Sequence, residues 1–562
     1  MINHLTIFSG HLRRRTFTTA RTSYPSYGST KATDPYFRTT HTIEQYRHQW
    51  NDVLDNGSRK QESDDISLAG RVVSKREASK KLYFIDIESN GARVQVMSDE
   101  RHVDQNRFDH TSDAESTATE TTSTTTTTTS TTPTTISSSF HNDGAFQEFR
   151  SSHKELQRGD IIGVTGFPAK TKKGELSIVP RSLHFLAPCL HELPAPGDPP
   201  PQDPNVRFRK RAADLLSNPQ SKYILQTRFR CISLIRQYLE SKGFVEAETP
   251  ILNLNAGGAA ARPFTTSSVA LGSSAPPLHL RIAPELYLKQ LVIGGFDRVF
   301  EIGKVFRNEG IDSTHNPEFT TCEFYQAYAD YEDLMEMTED MLSSIETSLL
   351  REGTDRDERT PAVFAGRPFP RMSVYDELER VLNQQLPPPD ELEDTSAVEA
   401  LIVACDRGNV PIPSEGRIGG WSASKVLDNM IGHCLEPLCV EPTFLCDHPA
   451  VMSPLANMHR SRPGLTERFE LFVNGNELCN AYAELNNPME QRRRFEQQAK
   501  MQNFYGHDVE IPAKDEAFCD ALEYGLPPTA GWGIGVDRLV MLLTGQQHIR
   551  EVLPFVLIKP TE

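Results

Sequence analysis

Residues 299–331 read VFEIGKVFRNEGIDSTHNPEFTTCEFYQAYADY. Two runs of alternating character flank a polar loop, the pattern of paired strands. By the period of two, Phe319, Glu323 and Tyr325 share one face of the second strand, and Arg307 closes the first beside them. Residues 525–545, GLPPTAGWGIGVDRLVMLLTG, supply a glycine-rich strand that runs into a helix near Val536, with Asp537 and Arg538 at the junction. Glycines let backbone approach a ligand closely, and an arginine there can lie over a base or clamp a phosphate. A third stretch, ELFVNGNELCNAYAELNN (470–487), has Asn474-Gly475 between two β-prone runs, which predicts a hairpin. Glu470, Glu477 and Glu484 recur in it at sevens, as a solvated face or a cation site. The period of two places Asn480, Tyr482 and Glu484 on one face and sets Glu477 apart. Folding at the turn brings the strands of Glu470 and Glu477 together. Singly, each stretch has a bland explanation: a strand arginine is usually superficial, and a GxGxD turn is usually only a turn.

The chain has 562 residues, enough for two or three domains with their own cores. With 24% charged and 37% hydrophobic residues, a mean hydropathy of −0.47 and no run near the ~20 apolar residues that span a bilayer, it is not expected to be a membrane protein. A formal charge of −17 argues against non-specific coating of nucleic acid but leaves room for a local patch. Nine cysteines without a CxxC indicate neither a disulfide framework nor a common zinc site. Cys434, Cys439 and Cys446, with His433 and His448 nearby, read as structural thiols.

Residues 1–33 contain no Asp or Glu, and Arg13, Arg14, Arg15 and Arg21 stand among Ser and Thr, the composition of a mitochondrial transit peptide. Residues 34–64 form an N-terminal helical and linker segment. Residues 65–190 show short strands at barrel spacing, interrupted at 111–139 by a threonine-rich tract with little to bury, predicted to be disordered. Basic residues and Phe84 give this barrel cations for phosphate and a ring for a base, although a merely solvated surface has the same composition. Residues 191–204 are a proline-rich linker. Residues 205–562 follow as a second domain: Leu225, Phe229, Ile232, Ile235 and Leu239 mark an amphipathic helix ending at Gly243, then a strand FVEAETPIL, while LPPPDELED (386–394) reads as a surface insertion.

Together, the helix and strand ending at Pro250, the FRNE loop and GIGVDR resemble the three signature motifs of class II aminoacyl-tRNA synthetases, from residue 65 to the C-terminus except for the threonine tract. GGAAARPF, RIAPELYLKQLVIGGFDRVFEIG, FRNEGIDSTHNPEFT and ELCNAYAELN are similar to the lysyl-tRNA synthetases of subclass IIb, in their mitochondrial form. The resemblance implies an α+β fold: an N-terminal OB-fold β-barrel that binds the anticodon, then a class II synthetase catalytic domain with an antiparallel β-sheet flanked by helices. It implies ATP and L-lysine as substrates, magnesium as cofactor, tRNA(Lys) as partner, a homodimer, no membrane association and the mitochondrial matrix as location. Gly258 and Glu285 would hold the α-amino group, Glu484 and Tyr325 the ε-ammonium, with Glu323, Asn480 and Tyr482 completing the pocket. Arg307 would bind the substrate carboxylate and the ATP α-phosphate. Adenine would lie between Phe319 and Arg538, near Glu309 and Asn316, with His315 and Arg538 at the outer phosphates and Glu470 and Glu477 on magnesium. In the barrel, Arg76, Phe84, Gln95 and Glu175 would read the anticodon. Two departures from the family pattern are the tract inside the barrel and the C-terminal LPFVLIKP, which lacks the usual Phe-Pro order. A transferase that lysylates protein, a non-catalytic RNA-binding descendant, and an aspartyl or asparaginyl enzyme are the competing readings. The barrel, the retained Arg307, Arg538, Glu470 and Glu477, and the pair Glu285 and Glu484 argue against them in turn.

Overall fold

The computed structural model describes residues 36–61, 64–102, 153–194, 198–200, 203–255, 257–259, 261–272, 275–351, 362–414, 416, 420–505 and 515–558. The expected transit peptide and the threonine-rich tract lie outside these residues. The chain divides into two compact units, 1–202 and 203–562.

In the first unit, β1 (Ile66–Ser79), β2 (Leu82–Ser89), β3 (Ala92–Asp99), β4 (Ile161–Lys170) and β5 (Leu176–Ala187) close a barrel in the order β1-β2-β3-β5-β4. Alternation builds it: Leu68, Tyr83, Ile85, Val94, Val96, Val164 and Ile178 point inward. Gly166 is required at the β4–β5 contact, where a Cβ would lie 2.0 Å from the Val179 carbonyl oxygen. A helix, Ile43–Trp50, starts with a capping box between Thr42 and Gln45 and buries Ile43 and Tyr46 against the barrel.

The second unit begins with helices Pro204–Arg209, Arg211–Ser217 and Pro219–Ser241, followed by short strands, β6 (Val245–Glu246), β7 (Leu252–Asn253), β8 (Thr265–Thr266) and β9 (Leu278–Leu280). Then come β10 (Arg298–Phe306), β11 (Glu318–Ala327), β12 (Arg371–Ser373), β13 (Thr443–Cys446), β14 (Arg468–Val473), β15 (Asn476–Ala483) and β16 (Thr529–Gly535). Eight of these form one sheet, β12-β13-β14-β15-β16-β11-β10-β6, antiparallel except for the outermost pair at each edge. Phe300, Cys322, Phe324, Phe469, Leu471, Ala481, Trp532 and Ile534 face helices Pro219–Ser241, Tyr331–Arg351 and Val536–Thr544 in the main core. The opposite face of the central strands is left for polar side chains.

Three expectations change. The strand FVEAETPIL is two fragments, β6 and β7, separated by residues 247–251, which include Pro250, whose nitrogen has no N–H for the ladder. Phe229, expected on the apolar stripe of its helix, is 53% exposed, whereas Leu225, Ile235 and Leu239 are buried. LPPPDELED is not merely superficial: Leu386 and Leu392 are buried in a separate core with helices Val374–Leu382, Thr395–Arg407 and Ala423–Cys434. Cys439 and Cys446 are buried, and Cys434 partly so.

Candidate active site

Strand register assembles the site. On β16, Gly533 pairs with Glu323 of β11 on one side and Asn480 of β15 on the other, and Gly531 pairs with Tyr325 and Tyr482. Two glycines thus form a bare floor between four polar side chains. A Cβ at Gly531 would lie 2.0 Å from Glu484 Oε1 and 2.5 Å from Tyr325 Cε1. The cavity above has a volume of about 360 Å³. Of the residues expected in the site, Gly258, Glu285, Arg307, Glu309, His315, Asn316, Phe319, Glu323, Tyr325, Glu477, Asn480, Tyr482 and Arg538 line it. Glu470 and Glu484 do not: Glu484 is buried with its Oε1 where a Cβ of Gly531 would stand, on the face of Tyr325 and Tyr482, and Glu470 sits between Arg468 and His448.

The end of the cavity at Glu285 and Glu323 is crowded with carboxyl groups. The Tyr482 hydroxyl donates to Glu285 Oε1 (2.8 Å) and the Tyr325 hydroxyl to Glu323 Oε2 (3.2 Å). Burial, reinforced by the charge of Glu285, pushes the Glu323 carboxyl up to about 8 against the opposing pull of Tyr325 and Arg307. Gly258 takes φ +86, a left-handed conformation that suits glycine, and packs on Glu285. Sequence reasoning missed Lys289, which is fully buried and pairs with both Glu285 and Glu484. Its signal was the i, i+4 spacing within ELYLK on the helix Glu285–Ile293.

At the other end, the Arg307 guanidinium carbon lies 5.2 Å over the Phe319 ring, on a face expected to meet a base. Arg538 Nη1 donates to the Glu477 carbonyl (2.7 Å), and its Nη2 stands 3.2 Å from His315 Nε2. Asp312 holds His315 Nδ1 at 2.8 Å, and backbone donors led by Thr314 N–H, with His315, hold its carboxyl down to about 2. Asp537 fixes the helix that carries Arg538: it accepts from Arg228 (2.5 Å) and from the Thr320 N–H (2.7 Å).

The hairpin β14–β15 departs from simple alternation. Leu471 pairs with Cys479 but Phe472 pairs with Glu477, so Leu478 is a bulge. Leu478 and Cys479 both enter the main core, and Glu477 is returned to the face of Asn480 and Tyr482. The expected separation of Glu477 from that face is therefore wrong. Burial and the charge of Glu470 push the Glu477 carboxyl up; burial opposes ionisation of Glu470 too, but Arg468 and His448 prevail and hold it down to about 2. The two carboxylates repel each other and are hard oxygen donors of the kind a dication takes, but among the described residues no group of three or more His, Cys, Asp or Glu gathers as a metal site.

On the barrel, Tyr83, Ile85, Val94 and Val96 face the core, which leaves Phe84 and Gln95 outside. Arg76 is the cross-strand partner of Phe84, its guanidinium 5.0 Å from the ring centre. Ser177 Oγ, on β5, donates to Gln95 Oε1 (3.1 Å) and contacts the backbone carbonyl of Glu175 (3.3 Å), the residue just before that strand.

Residues 203–559 match the family model of the class II tRNA synthetases (D, K and N). A probable cytoplasmic lysine–tRNA ligase of Encephalitozoon cuniculi is 50% identical over 72% of this chain and 79% of its own length. Lysine–tRNA ligases of Cladosporium cladosporioides and Nostoc punctiforme are 42% and 36% identical, over 90% and 94% of this chain and 78% and 85% of their own lengths. The chain belongs to the class II tRNA synthetases of the D, K and N group, and within it to the lysine–tRNA ligases.

Proposed function

We propose that this enzyme activates L-lysine with ATP and transfers it to the 3′ end of tRNA(Lys) in the mitochondrial matrix. The observation that carries the substrate is the carboxyl-rich inner end of the cavity: Glu285 and Glu323 line it, with Glu484 Oε1 against Gly531, opposite Arg307, which suits an amino acid with two ammonium groups and one carboxylate. The acid-free residues 1–33 support import.

The lysine carboxylate is already ionised at neutral pH, so attack on the ATP α-phosphorus needs no general base. It displaces pyrophosphate and forms lysyl-adenylate. The chain's work is positioning and charge stabilisation: Arg307 turns from the Phe319 ring to the carboxylate and α-phosphate, the ring takes the base, and Arg538 and His315 meet the outer phosphates. Magnesium held by Glu470 and Glu477 would supply charge neutralisation on the phosphate oxygens. The terminal adenosine of tRNA then attacks the adenylate carbonyl and releases AMP. Apolar side chains left exposed around the helix Pro219–Ser241, among them Phe229 and Val245, support a homodimer.

Full-length enzyme offered each of the twenty amino acids with mitochondrial and cytosolic tRNA should charge lysine alone; charging of aspartate would overturn the pocket reading. Arg307→Ala should abolish lysine-dependent ATP–pyrophosphate exchange, and near-normal exchange would remove Arg307 from its role. Phe84→Ala should weaken tRNA charging while exchange persists, because adenylate formation does not involve the barrel. A tagged full-length chain should enter mitochondria, and an exclusively cytosolic distribution would overturn the location.

A further inference from the structure

Lys289 has no part in the reading above, yet its ammonium is the best-caged cation in the lysine site. It lies one helical turn after Glu285, is 0% exposed, and approaches Glu285 Oε1 at 2.6 Å. It also pairs with Glu484 Oε2, and the rings of Tyr482 and Phe518 stand 5.7 and 5.5 Å away. A solvated surface lysine has none of these features, and two buried glutamates facing each other without a cation would repel strongly.

The geometry divides each carboxylate into an inner and an outer oxygen. Glu285 Oε1 is taken by Lys289 and by the Tyr482 hydroxyl, while Oε2 borders Gly258, 3.7 Å from where a Cβ would stand. Neither oxygen of Glu484 accepts a well-formed hydrogen bond, but Oε2 forms the ion pair with Lys289 Nζ, while Oε1 abuts Gly531. Gly258 and Gly531 are both cavity-lining positions without side chains. We propose that Lys289 is a positioning residue for substrate recognition: its ammonium locks the inner oxygens of Glu285 and Glu484 and turns one outer oxygen of each toward the cavity, one for each ammonium of the incoming amino acid. Discrimination against amino acids with a single ammonium then depends on a fixed internal cation as well as on the two glutamates. The inference rests on the lysine-activating reading proposed above.

Lys289→Met and Lys289→Gln remove the charge at similar length. In ATP–pyrophosphate exchange, each should raise KM for lysine at least fivefold while KM for ATP stays within twofold, a split that general loosening of the fold would not produce. A folded variant whose KM for lysine rises less than fivefold, or falls, overturns the inference. A crystal structure of the wild-type enzyme with lysine and a non-hydrolysable ATP analogue tests it without any variant. Lys289 Nζ should remain between Glu285 and Glu484, with substrate on the outer oxygens; a substrate ammonium in the place of Lys289 Nζ overturns it. Wild-type enzyme without lysine-dependent exchange would defeat the functional reading itself, whereas intact exchange with an unmoved KM would defeat only the role of Lys289.

Discussion

Glu323 shows how one residue couples the pocket to pH. The folded chain keeps a proton on its carboxyl up to about pH 8, whereas the unfolded chain releases it near 4.5. Folding therefore takes up a proton between these values, and the contribution of Glu323 to stability declines as pH rises through that window. Glu323→Gln, which has nothing to ionise, should gain in melting temperature relative to wild type between pH 5 and pH 8.5. Calorimetry with the two proteins in parallel at all pH values would show that the carboxyl is not held neutral. Residue types in the pocket were legible because each stands in an uninterrupted motif, as Phe319, Glu323 and Tyr325 do on β11. Lys289 was not legible as a site residue, because a lysine four positions from a glutamate on a helix usually marks a solvated ion pair.

At the scale of the element, the hairpin β14–β15 combines a legible feature with a hidden one. Asn474 and Gly475 adopt φ of +50 and +69, the paired left-handed residues that the dipeptide predicts. Their N–H groups both donate at 3.0 Å, to the carbonyls of Val440 and Cys439, so the turn is also fastened to a neighbouring segment. Gly475→Ala should destabilise the catalytic unit by roughly 1–2 kcal/mol through backbone strain, because its Cβ would only touch its neighbours. A denaturant midpoint unchanged from wild type would contradict this. The bulge at Leu478 carries no such mark: nothing distinguishes it from Cys479, and the choice is made by the core that receives both. The break between β6 and β7 was legible in Pro250 but was outweighed by the β-branched and aromatic residues around it.

For the whole molecule, the helix Pro219–Ser241 faces two ways. Its periodicity announced an apolar stripe, but periodicity alone does not say whether the stripe meets its own chain or another. Phe229 is exposed, and its neighbour Arg228 reaches inward to Asp537, next to the cavity-lining Arg538. If the proposed homodimer holds, wild type should sediment at equilibrium at twice the 63.1 kDa of one chain and Phe229→Asp near that single mass, with reduced exchange activity. A variant that remains dimeric would move the proposed interface elsewhere.

The barrel ring has one seam of a different kind. The chain leaves it at His102, whose N–H donates to the Asp99 carbonyl at 2.9 Å, and returns at His153, whose Nε2 meets Ser98 Oγ at 2.9 Å. Exit and entry are thus moored to consecutive residues, and the five described strands close through their own pairings, β1-β2-β3-β5-β4. Such a seam is a natural grafting port: a reporter domain spliced between its moorings should ride on the enzyme while the strands that carry Phe84 and Gln95 keep their pairing.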